Sequence, residues 1–206
     1  MTSRSASPRW LLVCLVASAL VAGCGEDDGT DLDSEDDARR AYLGLDGSIE
    51  KSLDLGMDGF NAASSANISP QMGVGDVDGT IVVDGQVDQG ASDNKGMRLT
   101  VALDHYTDGP VERVDDEDIE IVYSTEGELP NLDISLRNIP NGTLEGTLVG
   151  TYQMEGDIEG TATLNLSFSG TIEDDGSGGV SRTVGGTHVT GQAISGDAHY
   201  DVDVTL

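Results

Sequence analysis

The sequence predicts a mainly β protein: a curved antiparallel meander of about eight strands, open or barrel-like, with one N-terminal amphipathic helix packed on the concave apolar face. Three observations lead to this prediction. From residue 74 onward, apolar and polar residues alternate, which is the period of a half-buried strand. Residues 38–60 instead repeat apolar side chains every three or four positions, as a helix does. Glycines recur on the apolar side of the predicted strands, where they mark bending or close backbone approach.

The predicted helix follows an acidic segment. Eight of the twelve residues from Glu26 to Asp37 are Asp or Glu, so we expect residues 24–37 to be a solvated tether. At its end, Ser34 can cap a helix, and the acids after it suit the positive end of the helix dipole. The helix, predicted over 38–60, has one apolar face, formed by Ala41, Leu45, Ile49, Leu53, Met57 and Phe60. Four glycines between residues 44 and 59 lower its propensity, so it should need packing against something.

The composition of residues 61–73, which include Asn, Ser, Ala and Pro70, predicts a linker. The sheet is expected over 74–206, which makes 38–206 a single domain. The residues expected to face its interior include Val77, Ile81, Val83, Val87, Met97, Leu99, Val101, Leu103, Ile121, Tyr123, Leu132, Ile134, Leu136, Leu148, Leu164, Leu166, Val189, Ala193, Val202 and Val204. Residues 107–118 are expected to be an acidic loop.

Pro140-Asn141-Gly142 fits a three-residue hairpin loop, with proline starting a type I turn and glycine in the αL position. That loop would place Leu136 opposite Gly146 and Ile134 opposite Leu148. The apolar residues of both strands would then share one face, so the turn and the pattern agree.

The first 23 residues have the layout of a secretory signal peptide. Arg4 and Arg9 give a positive start, residues 10–22 are apolar apart from Ser18, and small residues precede Cys24. The apolar run of 13 residues is shorter than the ~20 residues of a membrane-spanning helix.

Val21-Ala22-Gly23-Cys24 resembles the lipobox of bacterial lipoproteins, a likeness confined to residues 1–24. The resemblance implies cleavage before Cys24, a diacylglyceryl thioether on its sulfur and acylation of the new amino group. Several acyl chains would give a stable membrane anchor. In that family an Asp after the cysteine often signals inner-membrane retention, so Gly25 favours the outer membrane, on its periplasmic or its surface face. The alternative is an ordinary secretory signal with an incidental cysteine.

Composition excludes several classes of function. After Cys24 the chain has 8 Lys and Arg against 38 Asp and Glu, a net charge of −30. Such a surface repels nucleic acid and anionic headgroups, and it favours a soluble monomer. With Cys24 lipidated, the mature chain has no thiol for a disulfide, a metal or a nucleophile.

Candidate chemical sites are few. His188 is predicted to share a polar sheet face with His199, Asp201 and Asp203, ligand types that suit a transition metal. We favour a solvated sheet face instead, because no motif spacing supports a ligand geometry and His–Asp neighbours arise by chance in a chain with 38 acids. Residues 76–79 and 115–118 are acidic but do not complete a calcium-binding loop. We therefore predict no catalytic residue, no cofactor and no metal, with Cys24 as the lipid-attachment residue.

Three functions follow in order of preference. The first is a lipid-anchored envelope lipoprotein with a non-catalytic structural or binding role, toward an envelope protein or an apolar ligand. The second is a carrier or sensor of an apolar ligand such as lipid, by likeness in outline to periplasmic carriers of lipoproteins and lipids. The third is a metal-dependent enzyme at the His188/His199 face. A concave face filled by the helix favours the first, and an apolar cavity there favours the second.

Overall fold

The computed structural model describes residues 34–114 and 117–206. Within these residues the chain forms one α-helix followed by β-strands, as the sequence predicts. The elements are α1 (Glu35–Ala62), β1 (Asn67–Val74), β2 (Asp78–Val87), β3 (Lys95–Thr107), β4 (Glu112–Val114), β5 (Glu117–Ile119), β6 (Ile121–Ser124), β7 (Asn131–Arg137), β8 (Gly142–Gly156), β9 (Gly160–Asp174), β10 (Val180–Ser195) and β11 (Ala198–Thr205).

Nine of these strands form one antiparallel sheet in the order β1-β2-β3-β6-β8-β9-β10-β11, with β7 also lying between β3 and β8. Strands β6 and β7 pair with different segments of β3 and β8, so together they fill one place in the order. The two ends of the order, β1 and β11, pair only with β2 and β10. The sheet is therefore an open meander rather than a closed barrel.

Helix α1 is capped and packs as the sequence predicts. The Ser34 hydroxyl accepts the backbone N–H of Asp37 at 3.1 Å, and the first turn carries Glu35, Asp36 and Asp37. Leu45, Ile49 and Leu53 are each at most 1 % exposed. These apolar side chains, together with Met57, form the buried face of the helix, and that face lies in the hydrophobic core with the inward residues of the sheet.

The sheet curls around the helix. The helix lies mainly against β1 and β2 at one end of the strand order and against β10 and β11 at the other. A single helix can contact both ends of the strand order only if the sheet is strongly curved. Gly85 and Gly191 allow this on the concave side, since their φ values of +147° and +144° are unfavourable for other residues. A Cβ at either position would also strike the backbone of the neighbouring strand.

Four cations connect the helix to the sheet and its small β4–β5 hairpin. Arg40 Nε lies 2.8 Å from Glu112 Oε2, where Arg39 also binds. Lys51 Nζ lies 2.7 Å from Asp108 Oδ1 and 2.8 Å from Asp76 Oδ1. On the other side, the guanidinium of Arg182 reaches Asp54 on the helix.

Local hydrogen bonds set the ionisation of these carboxylates. Burial alone would raise the pKa of Asp108, but hydrogen bonds from Lys51 Nζ and Tyr106 Oη outweigh it, so its pKa lies below the ordinary value. Hydrogen bonds from Arg40 and then Arg39 likewise lower the pKa of Glu112. Both groups therefore stabilise the fold above their ordinary pKa, and that contribution is lost as the pH falls through the lowered value.

Three segment predictions were wrong. The expected linker over 61–73 contains the last residues of α1 and most of β1, whose backbone pairs with β2 from Asn67 to Val74. Pro70 sits where the register shifts between Ile68 and Gln71, an irregularity at an edge strand that tolerates proline. The tether was also predicted to extend too far, to residue 37, because Glu35–Asp37 already form the first helical turn.

The expected loop over 107–118 holds the short β4–β5 hairpin instead. Val77, expected to face inward, lies in the turn between β1 and β2 and is 67 % exposed. The other interior residues are buried, apart from Val204, which is partly exposed.

The register of the β7–β8 hairpin is shifted by two residues from the prediction. Leu136 pairs with Leu144 and Ile134 with Gly146, so the loop is longer than three residues. Strand β7 ends early because Asn138 adopts a positive φ of 56° and its N–H donates to Asn94 Oδ1. An even shift keeps every side chain on its face, which explains why the alternation could not reveal it.

No helix within residues 34–114 and 117–206 is long and apolar enough to cross a bilayer.

The core position of Leu53 gives a direct stability test. Leu53→Ala should lower the free energy of unfolding by about 2–5 kcal/mol, since the lost side chain leaves a cavity between helix and sheet. Leu55→Ala removes the same atoms from a half-buried position on the same helix and should cost clearly less. Urea denaturation of both variants measures the difference. Equal costs would mean that the helix face is not the core contact described above.

Candidate functional site

A cavity lies at one end of the curled sheet, beside the last turn of α1. It has a volume of about 420 Å³. We call it the end groove. Its lining comes from three segments: the helix end, the β7–β8 turn and the β9–β10 turn. The residues are Phe60, Asn61, Ile139, Pro140, Asp174, Asp175, Ser177, Gly178, Gly179 and Val180.

Asn61 fixes the helix end to the sheet at this place. Its Nδ2 donates to the carbonyl oxygen of Val180 and its Oδ1 accepts the Val180 N–H, both at 2.9 Å. The side-chain amide thus pairs with the first residue of β10 as another peptide group would. This double hydrogen bond places Phe60 and Asn61 against the β9–β10 turn.

The β9–β10 turn is built around Asp175. Its Oδ1 accepts the N–H and hydroxyl of Ser177 at 2.7 and 2.9 Å and the N–H of Gly179 at 2.9 Å. The backbone hydrogen bonds from Ser177 and Gly179 lower the pKa of Asp175, so the group is a carboxylate at neutral pH. The adjacent Asp174 receives the N–H of Gly176 at Oδ1, 2.7 Å away.

The third wall comes from the turn between β7 and β8. Asn141 Oδ1 accepts the N–H of Asp174 at 3.2 Å, which joins the two turns. The Ile139 N–H donates to the carbonyl of Asp93 in the β2–β3 loop. Ile139 and Pro140 are thereby held facing the groove as an apolar wall, together with Phe60.

The end groove is electronegative. None of its lining residues in the described part of the chain is Lys or Arg, whereas two are aspartates. The last turn of α1 also holds no basic residue, so the negative end of the helix dipole is not compensated there. A smaller cavity of about 260 Å³ adjoins it at Asn61 and Asp175 and adds Asp54 and Asp58.

Of the described residues that line this smaller cavity, Arg182 is the one cation, and its side chain is only 7 % exposed. It lies 2.8 Å from Asp54 and 3.5 Å from Glu50, and donates to Thr187. Its charge is therefore already neutralised by the helix.

The concave face of the sheet, where an apolar ligand was considered, is filled by the protein itself. Leu45, Ile49 and Leu53 lie in one buried cluster with sheet residues such as Leu99 and Ile134. At Gly56 the helix comes so close that an added Cβ would lie 2.9 Å from Leu99 Cδ1.

The histidines predicted as possible metal ligands do share a face with Asp201 and Asp203, as the β10–β11 register requires. His188 Nε2 lies 2.6 Å from Asp203 Oδ1. His199, however, is opposite Ile194, six residues along β10 from His188. That separation is roughly 20 Å at ~3.3 Å per residue, too far for one ion.

The remaining candidates are the acidic segments 76–79 and 115–118 and the lipid-attachment residue. The Asp76 carboxylate binds Lys51 Nζ, and Asp78 Oδ1 accepts the N–H of Gly79. Cys24, Asp115 and Asp116 lie outside the described residues. Within the described ranges, no group of three or more His, Cys, Asp or Glu is arranged to hold a metal.

The end groove was not predicted from the sequence. Residues 140–142 and 174–179 could be read as turns, but nothing in the sequence shows that both turns meet Asn61. The only local signal was Asn61 near the end of the apolar helical repeat.

If the polar face of β10 and β11 is a solvated surface, the double substitution His188→Ala with His199→Ala should change the free energy of unfolding by no more than about 0.5 kcal/mol. Thermal denaturation with and without Zn²⁺ or Ni²⁺ measures this, with His105→Ala as the control. A metal that stabilises the native chain and the control, but not the double variant, would establish a site on this face.

Comparison with known proteins yields no relative. No protein-family model matches the chain, and the searches of curated proteins and of solved structures also found no match. A function for the domain must therefore rest on its own residues.

Proposed function

We propose that this chain is a lipid-anchored lipoprotein of a bacterial envelope whose folded domain has a non-catalytic structural or binding role. The observation that carries the proposal is Val21-Ala22-Gly23-Cys24 at the end of a short apolar run, residues 10–22, that follows Arg4 and Arg9. Gly25 favours the outer membrane.

The beginning of the fold agrees with a short tether. Helix α1 is capped by Ser34, ten residues after Cys24. A fully extended chain of that length spans at most about 35 Å. A lipid on Cys24 would hold the start of the helix within this distance of the membrane, while the acids of residues 26–33 resist collapse onto anionic headgroups.

The packing of the concave face supports a role other than transport of an apolar ligand within the sheet. A carrier needs an apolar cavity that the ligand can enter. Here the equivalent space contains the buried face of α1, and four tyrosines at positions 42, 106, 123 and 152 are buried as well. The end groove offers an accessible surface for binding instead.

The anchor can be tested through its sulfur. Cys24→Ser should abolish incorporation of labelled palmitate and leave an unprocessed precursor, because the thioether requires the cysteine. Cys14→Ser is the matched control, since Cys14 lies in the apolar run that is removed, and it should be labelled and processed normally.

Palmitate labelling followed by electrophoresis measures both acylation and processing of each variant. A Cys24→Ser chain that is still cut after Gly23 and remains in the membrane would contradict the lipoprotein assignment.

A further inference from the structure

The geometry points to the end groove as a binding site for a small organic cation: a protonated amine whose apolar body lies on Phe60, Ile139 and Pro140 and whose ammonium group faces Asp174 and Asp175. This deepens the binding role proposed above and rests on it.

The size of the groove fits a small molecule. Its volume of about 420 Å³ falls within the range of ~300–1,000 Å³ that is usual for ligand pockets. Its walls come from three segments that are held together by side-chain hydrogen bonds from Asn61 and Asn141. The shape is therefore fixed before a ligand arrives.

The apolar wall selects a ligand with a hydrocarbon body. Phe60 and Ile139 are half-buried side chains that pack against the core and still line the groove. An apolar group laid on them would remove further surface from water, at about 25 cal/mol per Å² of apolar area. A bare metal ion would gain nothing from this wall.

The two aspartates of the lining select the charge of the ligand. Among the described residues, hydrogen bonds to the Asp174 carboxylate reach only Oδ1, from Gly176 at 2.7 Å. Asp175 is held ionised by its own turn. No Lys or Arg from the described part of the chain lines the groove, and the helix end beside it carries no basic residue. The groove therefore repels anions and gives an ammonium group a favourable position.

The test uses three probes of nearly equal shape: phenethylammonium, 2-phenylethanol and 3-phenylpropionate. The ¹⁵N-labelled chain is purified from cells as it accumulates there, whether acylated or not, and is kept in a non-ionic detergent at 0.15 M salt. Each probe is titrated into this sample. Amide NMR shifts of the Asn61 side chain and of Gly178 and Gly179 report binding. We expect the ammonium probe to saturate these signals, the alcohol to bind about fivefold more weakly and the carboxylate not to bind.

Two variants separate the site from the general negative charge of the protein. Asp174→Asn keeps an oxygen that accepts the N–H of Gly176 and removes one charge. It should therefore lower the affinity for the ammonium probe about three- to fivefold. Asp197→Asn removes the same charge in the β10–β11 turn, at the opposite end of β10, and should leave the affinity unchanged.

Three results would overturn the assignment: equal affinity for all three probes, equal weakening by both variants, or the same shifts from Ca²⁺ or Mg²⁺ alone. The result is independent of the anchor. Palmitate labelling measures acylation separately. An unacylated chain that binds the amine would contradict the anchor alone, and an acylated chain that does not bind it would contradict the amine site alone.

Discussion

Burial of the concave face of the sheet under helix α1 is the constraint on which the rest of the structure depends. Each partner is weak alone: the helix carries four glycines between Gly44 and Gly59, and the sheet presents a continuous apolar face. The glycines also let the helix approach closely, since a Cβ on Gly44 would strike the ring of Tyr123, whose hydroxyl donates to the Ala41 carbonyl at 3.0 Å. Since no cysteine follows Cys24, this packing has no disulfide to support it.

The polar contacts around the core follow the same logic. Cations are scarce in this acidic chain, yet Arg39, Arg40, Lys51 and Arg182 all join the helix to other elements. They lie on both flanks of the helix, so carboxylates that would otherwise repel each other across the interface are neutralised. The outer surface keeps the excess of negative charge. The end groove belongs to that surface, and among the described residues no Lys or Arg lines it beside its aspartates.

The periodic parts of the fold could be predicted from the sequence, because alternation and the helical repeat report directly which side chains face the core. Leu45, Ile49 and Leu53 on the helix and Leu132, Ile134 and Leu136 on β7 illustrate this. Strand β1 could not be predicted, since its residues follow no clean alternation and pair through backbone groups around Pro70. The two-residue shift of the β7–β8 hairpin was hidden because it preserves every face. The end groove depends on contacts such as Asn61 with Val180, which are 119 residues apart.

Native-state hydrogen exchange tests the mutual dependence of helix and sheet most directly. If the buried helix and the sheet stabilise each other, backbone amides of Leu45 to Met57 should exchange with the same opening free energy as those in the middle of β8 and β9, because both require global unfolding. Both sets should also lose protection together as denaturant is added. If the helix amides exchange at a much lower free energy while β8 and β9 stay protected, the helix detaches from a sheet that is stable without it, and the central claim is wrong.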